Sequence, residues 1–208
     1  MAPRTPDILD CASAQWIGKR REQEDVVKSL PAAGGMLGIV CDGMGGHLRG
    51  DCASCVVAQE FAAVFAESGI EDIPERLTAA LHAANRALAA IQKEPEESGT
   101  TLLAVFIRDH FLWWISVGDS PLYLWSGADS FRMDRLNEDH SMRPIADCLY
   151  RKGKMSLQGA LCASASFCGP PSWGGPWNWW TSAPCPCSCI REMRCWHARM
   201  ACRFGASC

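Results

Sequence analysis

Two stretches with helical periodicity follow one another with no strand signal between them. From about Ser54, the apolar residues Val57, Phe61, Val64 and Phe65 recur at a spacing that lines one face of a helix. ERLTAALHAANRALAAIQKE (75–94) repeats the pattern with Leu77, Leu81, Ala84, Leu88 and Ile91. Strand-type runs lie on either side. ASAQWIGKR (12–20), ending in a basic turn, and MLGIVC (36–41) come before the helices. SGTTLLAVFI and FLWWISV, joined by RDH as a hairpin, and then PLYLW come after them. Adjacent helices segregated from an antiparallel meander exclude an alternating strand–helix chain and predict an α+β fold. Beyond it, 126–156 is mixed and polar, with a short helix expected near 143–152.

The bulk numbers narrow the function classes. A chain of 208 residues suits one domain with a substantial core. Its net charge of −3 supplies no long-range attraction to nucleic acid or acidic membranes. FLWWISV is far too short to cross a bilayer. MAPRTPDILD carries charges and prolines where a secretory leader needs an apolar run, so a cytoplasmic protein is expected. That expectation sets the reading of the thirteen cysteines as thiols and not as a disulfide framework. Cys52 and Cys55 form CASC, a spacing open to redox or zinc chemistry. On a helix it places both on one face, and without a second pair it reads as packing.

Chemistry concentrates in GIVCDGMGGHLRGD (38–51), where a buried strand ends on Asp42 and the chain loosens into glycines. A carboxylate in that position is held by rigid backbone yet faces an opening, and the glycines let the chain pass close to an ion or phosphate. A tight turn with a solvated aspartate is the plain alternative. A nucleotide-cradling loop is disfavoured because the acid precedes the glycines and no lysine follows. GKRREQED (18–25), SGTT (98–101) and VGDS (117–120) likewise set small or oxygen-bearing residues at the ends of strand-type runs. Hard oxygen ligands at strand ends suit Mg²⁺ or Mn²⁺, and a nearby arginine suits a phosphate.

Taken in order, these segments resemble the PPM family, the metal-dependent serine/threonine phosphatases also called type 2C, in its bacterial branch. The family's G-x-R-x-x-N-E-D, D-G-M-G-G-H, S-G-T-T, V-G-D-S-R and T-x-D-H-S correspond here to GKRREQED, DGMGGH, SGTT, VGDSP and LNEDHS. The resemblance covers residues 12–156. It implies a β-sandwich of two antiparallel sheets flanked by helices, with two Mn²⁺ or Mg²⁺ ions between the sheets. It implies that Asp42 bridges both ions, that Gly43 adds its backbone oxygen, and that Glu24 and Asp25 complete one metal's shell directly or through water. Arg20 corresponds to the phosphate-binding arginine, and Asp119 to an aspartate that helps hold a third ion in bacterial members. Phosphoserine and phosphothreonine proteins, the products of a serine/threonine kinase, are the implied substrates, attacked by a metal-activated water. A non-catalytic phosphoprotein-binding fragment is the rival reading.

The departures are specific. Gln23 replaces the usual asparagine, and Pro121 replaces the arginine after GDS. His47 reads as a loop residue, because relatives that use a histidine acid place it nearer Gly43, where this chain has Met44.

The last quarter does not continue the pattern. It holds eight of the cysteines (Cys162, Cys168, Cys185, Cys187, Cys189, Cys195, Cys202 and Cys208) and a single acid, Glu192. CPCSC is open to a zinc reading, but no convincing paired spacing supports it. The genetic code offers a sharper account. WNWWT must be encoded as TGG AAY TGG TGG ACN, which from the third base of each codon reads Glu-Leu-Val-Asp. REMRCWHARMAC, shifted likewise, allows Gly-Asp-Ala-Leu-Leu-Ala-Cys-Ser-Asp-Gly-Leu, similar to the family's G-D-x-L-L-L-x-S-D-G-L. One base missing near codons 156–162 would produce this, making 157–208 an out-of-frame tail not expected to fold natively and leaving 1–156 as the N-terminal part of the phosphatase domain. The S-D-G aspartate and a later aspartate ligand would then be lost, impairing metal binding.

Overall fold

The computed structural model describes residues 10–44, 50–92, 98–125, 133–165 and 190–194. A five-stranded antiparallel sheet dominates it, in the order β1-β2-β5-β6-β9, built from β1 (Val26–Ala32), β2 (Gly35–Cys41), β5 (Leu102–Arg108), β6 (Phe111–Val117) and β9 (Ile190–Arg194). Two short ladders accompany it: β3 (Gly43–Met44) with β4 (Gly99–Thr100), and β7 (Tyr123–Trp125) with β8 (Met133–Arg135). The helices are α1 (Gly50–Glu67), α2 (Ile73–Ile91), α3 (Arg143–Arg151) and α4 (Leu157–Ala165). The α+β expectation holds, with antiparallel sheets and helices, and among the described residues the strands outside the main sheet form only these two-stranded ladders.

Period-two alternation assigns the two faces of the sheet. Leu37, Ile39, Cys41, Ala104, Phe106, Trp113 and Ile115 turn toward α1 and α2, meeting Val57, Phe61, Phe65, Leu77 and Leu81 in one core. Leu103, Val105, Leu112 and Trp114 face the other way and pack with Leu122. Phe65 stacks obliquely on Phe106 at 5.0 Å between ring centroids, tying α1 to the middle of the sheet. Asp72 caps α2 by accepting the Glu75 backbone N–H at 2.8 Å, and Pro74 occupies the first turn.

The hairpin expected around RDH forms. Arg108 pairs with Phe111 across Asp109 and His110, whose φ angles of 50° and 68° mark a two-residue turn matched to strand twist. The start of the chain differs from expectation. Residues 12–20 form no strand: they are exposed and find no neighbour in the sheet, and only their basic turn is present. The first strand is Val26–Ala32 instead, whose Lys28, Ser29 and Pro31 obscure it in sequence. As an edge strand it tolerates a proline and polar outward residues. Within the last quarter, α4 and β9 are described, and β9 runs antiparallel to β6. Glu192 falls on β9. WNWWT and CPCSC lie outside the described residues, as does His47.

Candidate functional site

Asp42 sits where β2 ends, and the segments after it hold its backbone from two sides. Its N–H donates to Thr101 Oγ1 at 2.9 Å, while its carbonyl accepts from the Thr101 N–H at 2.9 Å and from Thr100 Oγ1 at 3.0 Å. Thr101 Oγ1 also lies 2.8 Å from Ser120 Oγ, joining the residue after β2, the start of β5 and the turn after β6 in one buried chain of hydrogen bonds. The two threonines of SGTT therefore position the acid. Their value is in orientation, since a buried N–H left unmatched costs more than the bond itself returns.

Glycines permit the close approach. A Cβ on Gly43 would fall 2.4 Å from the Gly50 carbonyl oxygen and 2.5 Å from that of Glu24, so β3, the start of α1 and the approach to β1 meet only because position 43 has no side chain. Gly118 adopts φ +103°, and a Cβ there would lie 2.6 Å from Thr101 Cγ2. Ser54 completes the junction by donating its hydroxyl to the Glu24 carbonyl.

Around Asp42 the structure gathers Asp25, Arg20 and Asp119. Burial first, then the charge of Asp25, a hydrogen bond with its carboxyl and the charge of Asp119, together push the Asp42 carboxyl up to about 7, with the Arg20 guanidinium opposing them. Two carboxyl groups thus face each other at hydrogen-bonding range, and Asp25 Oδ1 is buried with no hydrogen-bond partner. An orphaned carboxylate oxygen beside a second buried carboxyl is a donor set suited to a hard divalent cation. Glu24 is turned differently. Its Oε2 lies 3.6 Å from Arg20 Nη1, and its Oε1 lies beside Gly50, 3.0 Å from where a Cβ would stand there. It orients the arginine and faces the α1 N-terminus, where a carboxylate is favoured. Among the described residues, no three His, Cys, Asp or Glu side chains cluster closely enough to hold an ion between them.

A polar network supports the Asp119 side, and most of it carries no local signal in the sequence. Asn137 spans Pro121: its Nδ2 donates to the Ser120 carbonyl at 2.9 Å and its Oδ1 accepts the Leu122 N–H at 2.8 Å. Arg135 donates from Nη2 to the Asp119 carbonyl at 3.2 Å and pairs with Asp139 at 3.5 Å. Burial acts to raise the Asp139 pKa. The Ser141 hydroxyl and backbone N–H, with Arg135 and Arg143, outweigh it and hold the carboxyl below its ordinary range. His140 Nδ1 accepts the Gly118 N–H at 3.3 Å. LNEDHS thus braces the VGDS turn, a role invisible without the tertiary contacts. Cys52 and Cys55 lie on α1 as thiols and form no disulfide with each other, and Cys55 Sγ accepts from Gln59. Cys41 is buried, which pushes its thiol up to about 12 and leaves it inert.

Comparison with known proteins identifies the family. The sequence pattern of the Protein phosphatase 2C family matches residues 19–141. The serine/threonine protein phosphatase PstP of Mycobacterium tuberculosis is 39% identical over 95 residues, which is 44% of this chain and 18% of PstP. A putative protein phosphatase of Mycoplasma pneumoniae is 29% identical over 136 residues, 59% of this chain and 51% of that protein. The chain therefore spans between about a fifth and half the length of these relatives. In three dimensions it is similar to the catalytic domain of PstP solved with two manganese ions, at a TM-score of 0.56 and 23% identity, covering 85% of this chain and 68% of that one.

Proposed function

The chain belongs to the protein phosphatase 2C family, and we propose that it descends from an enzyme that hydrolyses phosphoserine and phosphothreonine in proteins, itself retaining one half of the catalytic centre. The observation that carries this reading is the convergence on Asp42 of Arg20 and Asp25 from one segment and Asp119 from another, with a buried Asp25 oxygen that has no hydrogen-bond partner. Asp42, Asp25 and the Gly43 carbonyl would hold Mn²⁺ or Mg²⁺, with Asp119 on the side of a further ion. Bound there, two such ions supply the charge that makes a water acidic enough to attack phosphorus at neutral pH.

The remaining work falls to the chain's own groups. Arg20, oriented by Glu24 and exposed on its far side, binds the phosphoryl oxygens and offsets their charge as it builds. Thr101 and Thr100 keep Asp42 from turning away. In the overall step an O–P bond forms from water, the ester P–O bond breaks, and a serine or threonine hydroxyl is released with phosphate. Phosphoproteins made by a serine/threonine kinase in the cytoplasm are the substrates we infer. No described helix is long and apolar enough to cross a membrane.

We further infer that this chain is impaired, because residues 157–208 are read out of frame and lack the S-D-G aspartate. Loss of that aspartate also favours a second reading, a fragment that binds phosphoproteins without turnover. Mn²⁺-dependent hydrolysis of an aryl phosphate that disappears in Asp42→Ala supports catalysis. Phosphopeptide binding with no turnover at any Mn²⁺ concentration supports the fragment.

A further inference from the structure

The loop that carries Arg20 is closed on itself beside the site. Gln15 Nε2 donates to the Asp25 carbonyl at 2.9 Å, so the chain leaves and returns to one point next to the facing carboxyls. Between those ends the Arg20 N–H donates to the Ile17 carbonyl at 3.2 Å, and Gly18 at φ +62° allows the turn. This arrangement displays Trp16, Lys19 and Arg21 around Arg20. Trp16 is 86% exposed, one residue, or about 3.8 Å of backbone, from the anchored Gln15. A large aromatic left in water on a pinned loop has no packing role to explain it. Lys19 and Arg21 are exposed, and among the described residues neither has a carboxylate partner. The cations Lys19, Arg20 and Arg21 outnumber the exposed acid beside them, Glu22, while Glu24 and Asp25 are half-buried, and only Arg20 is needed for the phosphate.

We propose that the Gln15–Asp25 loop is the docking element of this site, with Trp16, Lys19 and Arg21 selecting extended phosphopeptides that carry acidic residues next to the phosphorylated serine or threonine. The proposal rests on the phosphatase reading for the location of the phosphate. Residues two apart on an extended peptide are separated by about 6.8 Å, so acids flanking the phosphorylated residue fall within reach of long side chains on either side of Arg20. Trp16 supplies a flat apolar surface for the peptide to lie on.

The test uses the full chain with Mn²⁺ and labelled phosphothreonine peptides flanked by glutamates or by glutamines, read by fluorescence anisotropy. The glutamate peptide is expected to bind about fivefold tighter, the sum of two exposed ion pairs, with the advantage shrinking as salt rises. The Lys19→Glu/Arg21→Glu variant loses or inverts that preference, and Trp16→Ala weakens both peptides about threefold. Aryl phosphate hydrolysis is unchanged in either variant. Equal binding of the two peptides by the parent chain overturns the proposal, as does a preference that survives charge reversal or is insensitive to salt. The outcomes separate from the catalytic reading. Binding with preference but no turnover keeps docking and defeats catalysis, whereas turnover of both peptides at equal efficiency keeps catalysis and defeats docking.

Discussion

Replacing Asp42 by asparagine is predicted to stabilise the metal-free chain while abolishing its response to metal. Folding raises this carboxyl from its ordinary 3.8 to about 7, because it is buried, faces Asp25 and lies near Asp119. The sign follows from proton binding. Between those two values the folded state holds a proton that the unfolded state has released, so stability falls as pH climbs from about 4 to about 7 and is level above. The gap corresponds to at most about 4 kcal/mol, and water entering the site reduces it. Asparagine keeps the shape, can donate to the Asp25 carboxylate and never ionises. Urea denaturation in the presence of a chelator, run from pH 5 to pH 8, measures the difference. The parent chain should lose stability across that window and the variant should stay flat, the two being similar near pH 5. Adding Mn²⁺ at pH 8 should restore the parent and leave the variant unmoved. A parent chain whose chelated stability is flat from pH 5 to pH 8, or a variant weaker than the parent at pH 8, would refute the idea that paired buried carboxyls await a cation.

Three further outcomes follow from the same geometry. Gly43→Ala should cost at least ~1–3 kcal/mol in urea denaturation, because both atoms its Cβ meets are backbone carbonyls that cannot rotate aside. Thr101→Val strands the Asp42 N–H and the Ser120 hydroxyl; about 1–3 kcal/mol of stability should go, together with Mn²⁺ affinity measured by calorimetry. Inserting one base near codons 156–162 should yield a chain that binds Mn²⁺ more than roughly tenfold tighter and hydrolyses aryl phosphate faster, and unchanged affinity would count against the frame-shift account.

Much of the fold was legible because periodicity carries it. Val57, Phe61 and Phe65 mark the buried stripe of α1, and SGTTLLAVFI with FLWWISV reads as a hairpin from two apolar runs and the short RDH join, which the structure tightens to a two-residue turn. The first strand was not legible. Lys28, Ser29 and Pro31 break the apolar pattern, and an edge position forgives all three. At the site, Asp42, Asp25, Arg20 and Asp119 could be picked out because their segments place acids, glycines and an arginine at strand ends, and the structure brings them together. Glu24 could not be separated from Asp25 in sequence. Only the structure shows that its carboxylate reaches Arg20 on one side and Gly50 on the other. Asn137 and His140 had no local signal for their bracing roles, since both act through backbone groups fifteen or more positions earlier in the chain.

The most direct test of the metal-centre reading is anomalous diffraction from crystals of the chain grown with Mn²⁺. The predicted result is a manganese peak coordinated by the Asp42 carboxylate, the Gly43 carbonyl and the Asp25 oxygen that otherwise has no partner. Manganese found only elsewhere, or an Asp25–Asp42 pair left bridged by a proton at saturating metal and neutral pH, would contradict it.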